Sequence, residues 1–498
     1  MSHEDNELIK NRIEKLKNLI SMDIDPYPGN YKRTHTSKEA IDYFEKSENT
    51  DSEADEISIA GRIMSIRDMG KAIFIDLLDG DGRIQVLFRL NTLDEQFKNI
   101  SNLDLGDWLG VKGKLFRTRT KQITVLANNY DILCKAIRPL PEKWHGLTDI
   151  ELRFRQRYLD LISNEHSKNT ALNRSKIIKA IRNFMDNRGF IEVETPVLVS
   201  VAAGASAHPF ITHHNQLNQQ LYLRVATELY LKRLIVGGLE KVYEIGRVFR
   251  NEGVDFYHNP EFTMLESYQA FADYNDMMIM VEEMISSISE DIYGTKILEF
   301  NGTEIDFTPP WPRLDLRETI KKYSGIDYIE NLDVDSLSKE MKRLGIDVDK
   351  QVSWGGMMDK LISSKIEPNL IQPCFLVDYP VSMSPLAKKK TSDPRIVERF
   401  EGFVAGMEIC NSFTELNDPI DQRERFEEQE ALRSQFEKEE MDRLDEDFLV
   451  AIEHGMPPTG GIGIGIDRIT MLLCNQKSIR EVILFPHLRN LKSSEDQN

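Results

Sequence analysis

Cysteine is nearly absent. Cys134, Cys374, Cys410 and Cys474 are the only four in 498 residues, and they lie far apart with no CxxC pair. That spacing argues against a disulfide framework or a zinc ribbon and fits a reducing cytoplasm. No apolar run approaches the roughly eighteen residues of a membrane span, and the polar, acidic start MSHEDNELIK is unlike a secretory signal. A cytoplasmic protein with no membrane partner is therefore expected. Positive charge is scarce as well. A net charge of -19 disfavours indiscriminate binding to nucleic acid, whose affinity comes largely from neutralising phosphates. The deficit is uneven: positions 62–138 hold 13 Lys and Arg against 9 Asp and Glu, whereas positions 418–447 hold 13 acids against 5 bases. A basic module on an acidic body suits one selective polyanionic partner.

The chain is too long for a single core. Residues 4–20 place Leu8, Ile9, Ile13, Leu16, Leu19 and Ile20 at helical spacing, so residues 1–50 read as a helical extension closed by Pro26, Pro28 and Gly29. Between 55 and 140, five short strand-like runs alternate with turns such as Asp79-Gly80-Asp81-Gly82, the pattern of an OB-fold β-barrel. A Pro-rich linker at 141–170 leads to a second domain over 171–498. In it we expect a helix from Leu172 to Asn187, a strand FIEVETPVL broken by Pro196, a helical insertion at about 310–370 and an acidic, solvated helix from Asp421 to Glu440. The fold class is α+β.

Chemistry concentrates in three stretches. RVFRNEGVDFYHNPEFTMLESY, from Arg247 to Tyr268, reads as strand, loop, strand. Period two puts Phe262, Met264, Glu266 and Tyr268 on one face, with Arg250 and Glu252 able to lie opposite them. A fixed cation, two carboxylates and a phenol are costly to bury unless a ligand completes them. In RFEGFVAGMEICNSFTELNDP, Asn411, Phe413 and Glu415 share a face. Glu401 and Glu408 join that face only if a β-bulge falls between Glu408 and Asn411. The glycines of GGIGIGIDR are spaced GxGxG, which excludes the dinucleotide fingerprint. His213 and His214 point to opposite sides of any strand and have no further ligand, which argues against a metal there.

GFIEVETP, then FRNEG with HNPEFT, then the glycine run ending in Arg468, resemble motifs one, two and three of the class II aminoacyl-tRNA synthetases, in family order. The wording is most similar to the lysyl enzymes of subclass b, bacterial in type. The resemblance covers residue 56 to the end. It implies an OB barrel that reads the anticodon of tRNA(Lys), a catalytic domain on a central antiparallel sheet flanked by helices, and a homodimer built through motif one. It further implies activation of L-lysine by ATP, with Mg2+, and transfer to the tRNA. Its residues would be Arg250 and Arg468 as catalytic groups, with Glu252, His258 and Phe262 completing the ATP site. Gly204, Glu228, Glu266, Tyr268, Asn411, Phe413 and Glu415 would hold lysine, Glu401 and Glu408 the metal, and Arg67, Phe74 and Gln85 the anticodon. Gln122 departs from the family, where bacterial lysyl enzymes commonly carry a glutamate. An aspartate-activating relative would need a cation where this chain has Glu415. Relatives that lysylate a protein lack the barrel, and intact Arg250, Glu252, Arg468, Glu401 and Glu408 speak against a silent descendant.

Overall fold

A computed structural model describes residues 3–48, 55–141, 147, 149–205, 207–348, 353–436 and 444–489. Parts of the expected linker, of the connector before residue 55 and of the acidic helix beyond 436 lie outside the described residues. The chain forms two compact units, Met1–Gly146 and Leu147–Asn498.

In the first unit, α1 (His3–Ser21) and α2 (Ser37–Glu48) precede five strands: β1 (Glu56–Asp68), β2 (Ala72–Leu78), β3 (Arg83–Arg89), β4 (Trp108–Arg117) and β5 (Ile123–Cys134). The strands close into a barrel in the order β1-β2-β3-β5-β4. Alternation along β2 sends Ile73, Ile75 and Leu77 into the barrel core, so Phe74 and Asp76 face outward. Both helices belong to this body. Leu19, Ala40 and Phe44 join the barrel's core, and the Arg12 guanidinium donates to the carbonyls of Leu105, Ala136 and Arg138.

The second unit is organised by an eight-stranded sheet. Its strands are β6 (Ile191–Glu192), β7 (Lys241–Phe249), β8 (Glu261–Ala270), β9 (Arg313–Asp315), β10 (Cys374–Pro380), β11 (Ile396–Val404), β12 (Met407–Thr414) and β13 (Thr459–Gly465). They lie in the order β9-β10-β11-β12-β13-β8-β7-β6, antiparallel in the middle and parallel at each edge pair. One face carries Tyr243, Leu265, Ile409, Ile462 and Ile464 into a core shared with the helices Glu165–Asn187 and Tyr274–Tyr293. The other face is the floor of a cleft. Period two explains the glycine run: Ile462 and Ile464 enter the core, while Gly461, Gly463 and Gly465 leave the floor bare.

Three expectations are corrected. The helix expected from Leu172 begins at Glu165, where the Asn164 side chain accepts from the His166 N–H as its cap. The strand expected over FIEVETPVL is only Ile191–Glu192 and Leu198–Val199, because Thr195 and the Pro196 break turn aside to meet Glu244. The helix Pro419–Phe436 is not merely a solvated face: Phe426 and Gln422 are buried, and the Arg425 guanidinium donates to the carbonyls of Ser384 and Ala387.

Candidate active site

The cleft encloses about 850 Å³ and is lined by β8, β11, β12 and β13 together with loops. At one end stands a group of carboxylates. Glu266 projects from β8 and Glu228 opens the helix α3 (Glu228–Val236), and both line the cleft; Glu415, which follows β12, lies behind that lining beside Gly461. Glu266 is buried; one oxygen accepts from the Thr227 N–H at 3.1 Å, and the other has no hydrogen-bond partner. Burial, reinforced by Glu228, pushes its carboxyl up to about 7. Glu415 is 1% exposed; its Oε2 pairs with the Lys232 ammonium, and Oε1 has no hydrogen bond. Burial and the charges of Glu228, Glu266 and Glu415 all raise the Tyr268 phenol, which therefore stays protonated beside them. Gly204 has φ +93, and a Cβ there would press on Ala226 and on Glu228 at 3.4 Å, so only glycine allows this close approach. A Cβ on Gly461 would overlap both Glu415 and the Tyr268 ring. Asn411 and Phe413 complete this end.

The other end is cationic. Arg250 follows β7, where its N–H donates to the Pro260 carbonyl, and its guanidinium lies 5.2 Å from the Phe262 ring centre. Burial lowers its pKa on balance, and Glu252, Glu408 and Glu266 partly offset that loss. Arg468, on the helix Ile466–Leu473, donates to the Glu408 carbonyl at 2.6 Å and carboxylate at 3.2 Å, and reaches His258 Nε2 at 3.2 Å. A guanidinium only donates, so Nε2 accepts and Nδ1–H points to Asp255, 2.9 Å away. Asp467 pins this helix to β8 by accepting from the Thr263 N–H at 2.7 Å and pairing with Arg174 at 2.6 Å. Exposed Glu252 lines the same end.

The bulge expected on β12 exists: Gly402 pairs with Cys410 but Phe403 with Glu408, so Ile409 is the extra residue. It brings Glu408 to the cleft. Glu401 does not line it: its oxygens are taken by the Tyr379 hydroxyl at 2.7 Å and Arg399 at 2.6 Å, and burial pushes its carboxyl up to about 7 despite that arginine. The Glu408 charge reaches Glu401 and helps raise its carboxyl, but only Glu408 lines the cleft, and no group of three or more His, Cys, Asp or Glu among the described residues is arranged for a metal. Glu408 alone fits an ion that takes its remaining ligands from phosphate and water, whereas Glu401 as placed does not.

In the barrel, register sets Arg67 opposite Phe74, Asp76 opposite Gln85 and Gln85 opposite Thr124. Phe74 is half-buried and Arg67 exposed, its guanidinium 3.2 Å from Asp76. Gln85 is buried, and its carbonyl accepts from the Thr124 hydroxyl at 2.9 Å. Gln122 lies in the β4–β5 turn, where its backbone pairs with Thr118.

Sequence reasoning missed several groups. Trp354 and Asp359, from the insertion left without chemistry, line the cleft, as do Arg399 and Gln429. Lys232 was also missed: its ammonium is fully buried between Glu228, at 2.6 Å, and Glu415. The one signal for it was the i, i+4 spacing Glu228–Lys232.

The family described as tRNA synthetases class II (D, K and N) matches residues 149–489, and an OB-fold nucleic acid binding domain matches residues 57–133. A Dehalococcoides mccartyi protein named lysine–tRNA ligase is 54% identical over 98% of both chains. Those of Pelotomaculum thermopropionicum, 53% identical over 97% of this chain and 95% of that one, and Bacillus subtilis, 48% identical over 98% of both, carry the same name. No helix among the described residues is long and apolar enough to cross a membrane.

Proposed function

Because this chain belongs to the class II tRNA synthetases, in their lysine–tRNA ligase branch, we propose that its cleft joins lysine to ATP as lysyl-adenylate and passes the lysyl group to the 3′ end of tRNA(Lys). The activity is that of a lysine–tRNA ligase, with ATP as substrate. One observation carries the site-level reading: a single cleft sets buried carboxylates at one end and arginines at the other.

No protein nucleophile is needed, since the carboxylate of lysine attacks the α-phosphate and pyrophosphate leaves. The protein positions and neutralises. Arg250 holds the substrate carboxylate and the α-phosphate. Arg468 and His258 meet the outer phosphates, Phe262 stacks on adenine and Glu252 accepts from its amino group. Four residues of strand rise separate Phe262 from Glu266 by roughly 13 Å, the span from adenine to amino acid. Glu228 takes the α-ammonium beside the Gly204 backbone, with Glu266 near it. Glu415 and Tyr268 take the ε-ammonium at the far end, walled by Asn411 and Phe413. A Mg2+ ion would be held by Glu408 and supply charge neutralisation at the triphosphate. Glu401 could join only after releasing Arg399.

Arg67 and Phe74 present the anticodon face, with Phe74 as the stacking ring, and Gln85, buried against Thr124, backs it. Exposed Ile191, Val197, Leu198 and Ile211 favour burial of the motif-one surface in a homodimer, measurable by light scattering. Four free cysteines suit work in the cytoplasm. Labelled lysine should be transferred to a lysine tRNA transcript; transfer to protein without tRNA would overturn the reading.

A further inference from the structure

Lys232 has no place in the reading above. It sits one turn after Glu228 on α3 and points inward, its side chain fully buried. A buried ammonium is costly unless carboxylates surround it. Here its Nζ lies 2.6 Å from Glu228 and pairs with Glu415 on the far side. The rings of Phe413 and Phe448 lie 5.3 and 5.8 Å from it. The two carboxylates assigned to opposite ends of the substrate are therefore joined by an ammonium of the protein itself. An ordinary structural ion pair would need only one of them. The second carboxylate keeps one unfilled acceptor, because Lys232 meets Oε2 of Glu415 while Oε1 has no hydrogen bond.

Charge counting gives this arrangement a meaning. When all are ionised, Glu228, Glu266 and Glu415 bring three negative charges to one buried region, and Lys232 cancels one. Two remain, matching the two ammonium groups of lysine, whose carboxylate goes to Arg250. We propose that Lys232 is a positioning residue of the amino-acid pocket: it braces Glu228 against Glu415 and sets the pocket's charge to that of a substrate carrying two ammonium groups. This rests on the lysine reading and adds the residue that matches the site to its dicationic substrate.

The groups facing Lys232 and Glu415 are Glu228 from α3, Glu266 and Tyr268 from β8, and Glu415 itself, with Arg250 beyond Glu266. Asp445, next to the Phe448 helix, is occupied by Arg233 at 2.7 Å. Burial pushes the Glu415 carboxylate up, Lys232 draws it back, and Glu228 and Glu266 push it up again. Without the Lys232 charge, three crowded carboxylates cannot all stay ionised near neutrality, and one takes a proton that lysine must displace.

The test is ATP–pyrophosphate exchange by the full-length protein, wild type against Lys232→Met and Lys232→Arg, from pH 6.5 to 8.5. In Lys232→Met the lysine KM should rise tenfold or more at pH 7 and fall again as pH rises, at a pH above that of the wild-type response. The ATP KM and saturating rate should change less than threefold, and Lys232→Arg should keep the wild-type pH response. Two results would overturn the proposal. One is a Lys232→Met protein with the wild-type lysine KM and pH profile. The other is a pair of variants that lose thermal stability and both KM values alike, the mark of a packing role. Failure of the underlying reading looks different: the wild-type protein itself would not respond to lysine.

Discussion

Replacing Glu415 by Gln keeps the shape of the side chain and removes its charge at the far end of the pocket. Glu415 is 1% exposed; its Oε1 has no hydrogen bond to lose, and its Oε2 pairs with Lys232, from which an amide oxygen can still accept. Lys232 keeps Glu228 at 2.6 Å as a partner, so the fold should survive with little change in melting temperature. What disappears is the charged acceptor for the substrate ε-ammonium. A hydrogen bond to a charged group contributes about 1.5–3 kcal/mol, which corresponds to an increase in lysine KM of about 10- to 150-fold. Exchange kinetics measured across lysine and ATP concentrations separate the two ends of the cleft. The ATP KM should stay within about threefold, because Arg250, Arg468 and Phe262 are untouched. A lysine KM that moves less than threefold would refute the assignment, as would an ATP KM that rises in step with it.

Four further outcomes follow from the same geometry. Arg250→Ala should abolish adenylate formation in single-turnover assays even at saturating lysine and ATP, since the guanidinium acts on charge that develops during transfer; an unchanged rate would make Arg250 structural. Lysine KM should rise as pH falls through about 7, because Glu266 binds an ammonium only when ionised and burial pushes its carboxyl up to about 7; a flat profile from pH 6 to 8 would contradict this. Gly461→Ala should raise the lysine KM because its Cβ overlaps Glu415 and Tyr268, and an unaltered KM would mean the pocket lies elsewhere. Phe74→Ala should slow tRNA charging about tenfold at low tRNA, from a stacking loss of about 1–3 kcal/mol, with exchange unaffected; equal loss in both assays would make Phe74 a core residue.

The parts of the site carried by strand periodicity were legible. Phe262, Met264, Glu266 and Tyr268 do line one cleft, and the bulge needed to turn Glu408 inward is there at Ile409. The barrel was legible for the same reason, its short alternating runs leaving few ways to bury Ile73, Ile75 and Leu77. Groups placed by long-range packing were not. Nothing local says that Arg399 and Tyr379 will occupy Glu401, or that Gln85, a plausible exposed amide, will be buried against Thr124. The insertion looked silent because Trp354 and Asp359 carry no motif, and only the tertiary fold brings them to the cleft. Lys232 was hidden by its setting: on an apolar helix it reads as a surface lysine until Glu415 arrives from a strand 183 positions later.

The most direct test of the central claim is ATP–pyrophosphate exchange with each of the twenty amino acids in turn, with and without Mg2+. The carboxylate pocket predicts exchange with lysine alone, dependent on Mg2+, and none with aspartate or asparagine. Exchange driven by aspartate and indifferent to lysine would contradict the account at its foundation.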